Sequence, residues 1–294
     1  MTAPRQVLRG ATYFVTRRCT QRQFLLRPSK ATNQVIQYLL AIATERYGIE
    51  LHAYCVMSNH LHLVVTDPDA RLPACMQYFD GLAGRALNAL LGHRENFWGS
   101  DTFSAVELTD RLSIVDKVAY TLANPVEAGL VRSASRWPGL WSPPEAIGGH
   151  ELPVRRPGHF FDPKGSLPRS TALRLTAPPG FPTAAAFREL LRVALAEKEA
   201  AAVKRIGTFL GVARVLAQKT TVRARREELL GQLNPRVAGR DAGKRTERLA
   251  GLVSFLAEYR TALRKWRRGN RSITFPAGTY LMRVACGVAC TGAG

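Results

Sequence analysis

No apolar run in this chain approaches the roughly 20 residues needed to span a bilayer, and the N-terminus lacks the apolar core of a secretion signal. A membrane-embedded protein is therefore not expected, and the expected location is the cytoplasm. Cysteine is scarce: Cys19, Cys55, Cys75, Cys286 and Cys290 are odd in number and show no Cys-x-x-Cys spacing. A disulfide framework has no basis here, and the five read as reduced thiols. Acid is scarce in one half only. Residues 1–145 carry 15 Lys and Arg against 12 Asp and Glu, whereas residues 146–294 carry 27 against 10, so nearly all of the +20 net charge sits in the second half. That half has the electrostatics of a polyanion binder, and nucleic acid fits better than a membrane surface.

What is present begins with size. A chain of 294 residues that is 46% hydrophobic can bury a large core and exceeds the usual single domain. Alternation predicts strands at Ala11 to Arg18, Ile49 to Met57, His60 to Thr66 and Phe103 to Thr109. Apolar stripes predict helices at Thr32 to Tyr47, Leu72 to Leu91 and Arg111 to Ala123, the last ended by Asn124-Pro125. The order β-α-β-β-α-β-α gives an α+β fold, a ferredoxin-like (split βαβ) four-stranded antiparallel sheet with one open face. Residues 138–182 hold 10 of the 17 prolines and read as a structureless linker or wrapping arm. Beyond it come helices at Ala184 to Ala202, Val203 to Gln218 (broken near Gly207 or Gly211), Val222 to Leu233 and Thr246 to Arg268. The last is expected to be amphipathic, with Leu249, Leu252, Val253, Leu256, Leu263 and Trp266 on one side. The expected organisation is a catalytic domain at 1–137, a Pro-rich linker at 138–182, and a basic, mostly helical DNA-binding or accessory domain at 183–294.

The chemistry concentrates in Met57-Ser-Asn-His-Leu-His-Leu63. In a strand, residues i and i+2 share a face, so the imidazoles of His60 and His62 stand side by side. A lone strand histidine is most often a hydrogen-bonded core residue, but pairing two unsatisfied rings costs about 1–3 kcal/mol per group, which favours a shared ligand. On the Arg111–Ala123 helix the core stripe is Leu112, Val115, Ala119 and Leu122, and Tyr120 flanks it on the edge that carries Asp116 and Asn124. Periodicity alone makes that tyrosine a packing residue with a wet hydroxyl.

Taken together, Met57-Ser-Asn-His-Leu-His-Leu63 and Ala119-Tyr-Thr-Leu-Ala-Asn-Pro-Val-Glu-Ala-Gly-Leu-Val131 resemble the paired signatures of single-tyrosine HUH transposases, specifically the REP-associated tyrosine type. The resemblance covers about residues 10–142. It implies an enzyme that nicks and rejoins single-stranded, hairpin-bearing DNA through a 5′-phosphotyrosine, with Tyr120 as nucleophile, His60 and His62 as metal ligands, Asn124 as a third metal contact, and Mg2+ or Mn2+ as the divalent metal. Ser58 stands where the family has Pro, Glu127 where it has Arg, and Asn124 where related enzymes often have Gln. A bacterial-type, nucleoid-associated protein follows, with a homodimer as an open alternative to a monomer. Arg17, Arg18, Arg223, Arg225 and Arg226 are candidate DNA contacts, and Phe14, Trp98 and Trp141 candidate stacking residues. Two other readings compete: a non-catalytic regulator that binds hairpin nucleic acid, and a zinc hydrolase using His60, His62 and Cys55. The odd offset of Cys55 from both histidines counts against the latter.

Overall fold

The computed structural model describes residues 4–100, 102–158, 160–223 and 235–292. Its first seven elements follow the expected order: β1 (Ala11–Arg18), α1 (Lys30–Tyr47), β2 (Glu50–Val56), β3 (His60–Asp67), α2 (Leu72–Leu91), β4 (Ser104–Leu108) and α3 (Arg111–Glu127). Local chemistry sets their limits. The Ser29 hydroxyl accepts from Thr32 N and starts α1 two residues before the periodic stripe, and Gly48, in the left-handed region, ends it. Asp110 caps α3 through Ser113 N.

The expected stop of α3 at Asn124 is corrected: the helix runs on through Pro125 to Glu127. A proline this near a C-terminus removes a single helical bond. Burial of Asn124, Pro125 and Val126 outweighs the loss, and the Pro125 carbonyl closes the end by accepting from Leu130 N and Val131 N. The stripe also differs, because Leu112 is exposed while Ile114 and Val118 are buried. The helix is packed on two sides, so its buried arc is wider than one stripe.

Strand order is β2-β3-β1-β4, antiparallel throughout, with a fifth strand that the sequence reading lacked. That strand, β7 (Val237–Ala238), enters from the basic half. The odd-numbered side chains of β3, Leu63 and Val65, meet Leu40 and Ala43 of α1 and Leu72, Met76 and Phe79 of α2. The even-numbered face carries Phe14 and His62 toward α3. The open sheet face of the expected fold is thus partly covered.

The Pro-rich segment is not structureless. It holds a hairpin of β5 (Leu152–Arg155) and β6 (Ser170–Leu173) lying against α1, with Val154, Phe161, Leu173 and Leu175 buried. Four-residue strands, one of them interrupted by Pro153, carry too little alternation to be read. The same segment runs along edge strand β2, where Val56 N donates to Leu140 O, Ser142 N to Tyr54 O and Thr176 N to Leu51 O. These bonds occupy an edge that would otherwise invite another strand.

In the basic half, α4 (Ala184–Ile206) lies along α3, tied by a 3.0 Å Lys198–Asp116 ion pair. Gly207 caps it, Gly211 precedes α5 (Val212–Ala217), and β7 (Val237–Ala238) adds to β4 in parallel. Then come α6 (Ala242–Arg267) and α7 (Leu281–Cys286). On α6 the expected apolar side is narrower than its sequence: Leu252, Phe255 and Ala262 are buried, while Leu249 and Val253 are exposed. The predicted helix start at Val222 is not formed. Val222 O accepts from Phe24 N, and Arg223 bridges Gln23; the remainder of that predicted helix lies outside the described residues but for its start. Among the described residues no helix is long and apolar enough to cross a membrane.

A third histidine shows what this packing costs. His52 sits in the bulge of β2 and is buried. Its Nδ1–H donates to Thr176 O at 2.9 Å and its Nε2 accepts from the Thr66 hydroxyl at 2.8 Å, which in turn accepts from Thr12. One proton satisfies the ring, and burial holds its pKa down at about 4. The unfolded chain takes up a proton on this ring below about 6.5, and the folded chain does so only near 4. Stability supplied by neutral His52 is therefore full above that window and falls through it by about 3 kcal/mol. Denaturant unfolding at pH 7 and pH 4 should show His52→Gln less stable at pH 7 yet less acid-sensitive than the parent; equal acid losses would acquit this residue.

Candidate functional site

The β1–β3 register sets Thr16 opposite His62 and Arg18 opposite His60. Directly opposed residues share a face, so all four side chains stand together. The turn between β2 and β3 is pinned by Met57 N to His60 O, Cys19 N to Asn59 O and Leu26 N to Ser58 O, at 2.8, 2.8 and 2.9 Å.

The Asn59 amide nitrogen donates to Arg22 O, which turns its Oδ1 toward His60 Nδ1 at 2.7 Å. An amide oxygen only accepts, so the proton of His60 is on Nδ1 and its Nε2 presents a lone pair. That lone pair meets His62 Nε2 at 3.0 Å, and Thr16 Oγ1 lies 3.0 Å from His62 Nδ1. Two arrangements satisfy this chain. With Thr16 donating to Nδ1, His62 gives its proton to His60; with Nδ1–H donating to Thr16, both Nε2 lone pairs converge on one point. The second arrangement is a two-imidazole seat for a cation, and the hydroxyl can switch roles without moving an atom heavier than hydrogen. His62 is 5% exposed. Its pKa is held well below the ordinary value by burial first, then by His60, Arg18 and Lys117, so the ring stays neutral and able to ligate.

The α3 residues complete the arrangement. The half-buried Tyr120 ring lies 5.7 Å from His62 and 5.8 Å from Phe14, edge-on to both, while Phe14 stacks on His62 at 5.0 Å. Lys117, one turn earlier, places Nζ 5.1 Å from the Tyr120 ring centre and 5.6 Å from that of Phe14. Asn124, one turn later, is 8% exposed. Among the described residues no group of three His, Cys, Asp or Glu side chains converges on one point. A cation here would have two imidazoles and neutral oxygens, which leaves positions open for substrate.

The remaining candidates separate. Arg18 is exposed on the imidazole face. Arg17 projects from the other face, pairs with Asp80 at 2.8 Å, bonds Gly99 O and lies over Trp98. Alternation alone distinguishes these adjacent arginines, a distinction the sequence reading did not draw. Arg223 is exposed beside Gln23, and Arg225 and Arg226 lie outside the described residues. Phe14 and Trp98 are buried, Trp98 Nε1 donates to Asp80 O, and Trp141 Nε1 donates to Leu122 O. Cys55 is directly opposite His62 despite its odd offset, because the intervening turn resets parity. Its thiol is buried against Met57 Sδ, and burial pushes its pKa far up, which disfavours the thiolate a metal would require. Thr16, Asn59 and Lys117 were missed in the sequence; Thr16 needed a strand register, and the Asn59 signal lay in the motif itself.

Residues 9–106 match the family model described as transposase, IS200-like. The match runs from β1 into β4, includes both imidazoles, and ends before α3, so Tyr120 and Asn124 lie beyond it. The transposase resemblance read from the motifs is borne out over that stretch. Among solved structures, a REP-associated tyrosine transposase bound to a REP hairpin is 21% identical, with a TM-score of 0.40, covering 47% of this chain and 81% of that one. A candidate transposase from Deinococcus radiodurans R1 is 18% identical, with a TM-score of 0.29, covering 36% and 85%. No curated protein matches.

Thr16→Val keeps the shape and removes the partner of His62 Nδ1. Chemical denaturation should show a loss of about 1–3 kcal/mol, largely restored by Thr16→Ser; an unchanged midpoint would show that the hydroxyl does not hold the ring.

Proposed function

We propose that this protein is a DNA transposase that cuts and rejoins single-stranded, hairpin-bearing DNA, with Tyr120 as nucleophile and a divalent ion held by His60 and His62. One observation carries the reading: the Tyr120 ring lies against His62 at 5.7 Å, and His62 in turn meets His60 through Nε2 atoms 3.0 Å apart. A nucleophile and a ligand pair from distant parts of the chain are thus brought side by side. The IS200-like match over residues 9–106 supports the transposase class.

In this reading the Tyr120 hydroxyl attacks phosphorus, the P–O3′ bond breaks, and the electron pair leaves on the 3′ oxygen, which takes up a proton while the phenol loses one. The products are a 5′-phosphotyrosine and a free 3′-hydroxyl, and ester exchange lets rejoining proceed without ATP. The divalent ion, Mg2+ or Mn2+ by family resemblance, supplies charge neutralisation and Lewis acidity at the phosphate. Asn59 and Thr16 hold the two imidazoles with Nε2 facing inward, Phe14 keeps water from the His62 ring, and Asn124 lies one turn from the nucleophile as a further neutral ligand. Arg18 and Arg223 guide the strand. Residues 1–137 carry the chemistry, 138–182 brace it, and 183–294 hold DNA.

Incubation of the purified protein with single-stranded hairpin oligonucleotides and Mn2+ should give a covalent protein–DNA adduct that survives denaturing electrophoresis. Tyr120→Phe, the double change His60→Ala/His62→Ala, and chelator should each abolish it. An adduct that persists in Tyr120→Phe would overturn the assignment, and chelator-insensitive hairpin binding with no adduct would favour a non-catalytic regulator.

A further inference from the structure

We infer that Lys117 is the seat of the scissile phosphodiester, a binding residue on α3 that holds the anion between itself and the ion at His60 and His62. The inference deepens the proposed function and rests on its site. Its physical basis is the arrangement around one ammonium group. Lys117 Nζ stands over two ring faces, Tyr120 and Phe14, at 5.1 and 5.6 Å. Both rings contact His62. Ring faces attract a cation by about 0.5–2 kcal/mol but do not neutralise it.

No carboxylate among the described residues forms an ion pair with Lys117. The nearest acid in sequence, Asp116, is held by Lys198 on α4 at 3.0 Å. Among the described residues the ammonium thus has no acid paired with it, and it stands next to a ring that would ligate a divalent cation. Two like charges so placed repel, and each weakens the other's hold. An anion lying between them converts that repulsion into two attractions, and a phosphodiester has two non-bridging oxygens, one for each. Lys117 also precedes Tyr120 by three residues, which puts both on one helical face. The anion it holds is thus beside the nucleophile, and Arg18 on β1 lies opposite His60.

A seat of this kind gives effects of opposite sign on its two ligands. Without DNA, Lys117→Met should bind Mn2+ as tightly as the parent or several-fold tighter in calorimetry, because a repelling charge is gone. Single-strand affinity should fall at least tenfold when measured in a Tyr120→Phe background, where no cleavage intervenes. The slope of log affinity against log salt should shrink by about 0.7, the value for one phosphate contact on a single strand. Lys117→Arg should restore most of the affinity and the slope. Nicking by Lys117→Met should show a raised KM together with a lower kcat.

A lysine that merely packs against Phe14 and Tyr120 would weaken Mn2+ and DNA binding together, without a change of slope. That result, or unchanged single-strand affinity in Lys117→Met, overturns the inference. The adduct assay separates the two proposals. Loss of the adduct in Tyr120→Phe with no effect of Lys117→Met rejects only the phosphate seat, whereas an adduct that survives Tyr120→Phe rejects the assignment of function.

Discussion

The antiparallel register of β1 on β3 is the constraint on which the candidate site rests. It opposes Thr16 to His62 and Arg18 to His60, and from it follow the hydroxyl at His62 Nδ1 and the exposed guanidinium beside His60. A slip of one residue would invert every side chain of β1 and put Val15 and Arg17 against the imidazoles. The register is secured from the other face, where buried Tyr13 and Val15 join the same core as α1 and α2. The hydrophobic core thus fixes a polar geometry, and one of its members, Phe14, stacks on His62.

Around that strand pair the molecule is braced on three sides. The Pro-rich segment occupies the β2 edge, β7 occupies the β4 edge, and α4 backs the helix that carries Tyr120. The last brace bears most directly on chemistry, since the Lys198–Asp116 pair crosses from α4 to α3 one residue before Lys117. The basic half therefore does more than add positive charge. It adds a strand to the sheet and backs the helix whose Tyr120 lies against His62.

How much of this was legible in the sequence varies with the range of the interaction. The four main strands, α1 and α2 were read nearly to the residue, because alternation and stripes are local records of burial. The end of α3 was misread because a proline rule weighs one backbone bond and ignores the burial of Asn124, Pro125 and Val126. The hairpin of β5 and β6 and the two-residue β7 were not read at all, since strands that short have no period. Arg17 and Arg18 were grouped although strand alternation separates them, and Cys55 was set aside on a parity that the turn had already reset.

By itself the sequence determined which groups were available: two imidazoles one residue apart on a buried strand, a tyrosine at the edge of a helix, and a second half rich in cations. Those are properties of neighbours along the chain, where spacing fixes which side of an element a residue occupies. Only the tertiary structure decided that Tyr120 lies on His62, that Thr16 serves His62 and not another residue, and that Lys117 stands over the Phe14 and Tyr120 rings while Arg17 is committed elsewhere. Those relations join residues dozens of positions apart, and they are set by register and packing, which no local periodicity encodes.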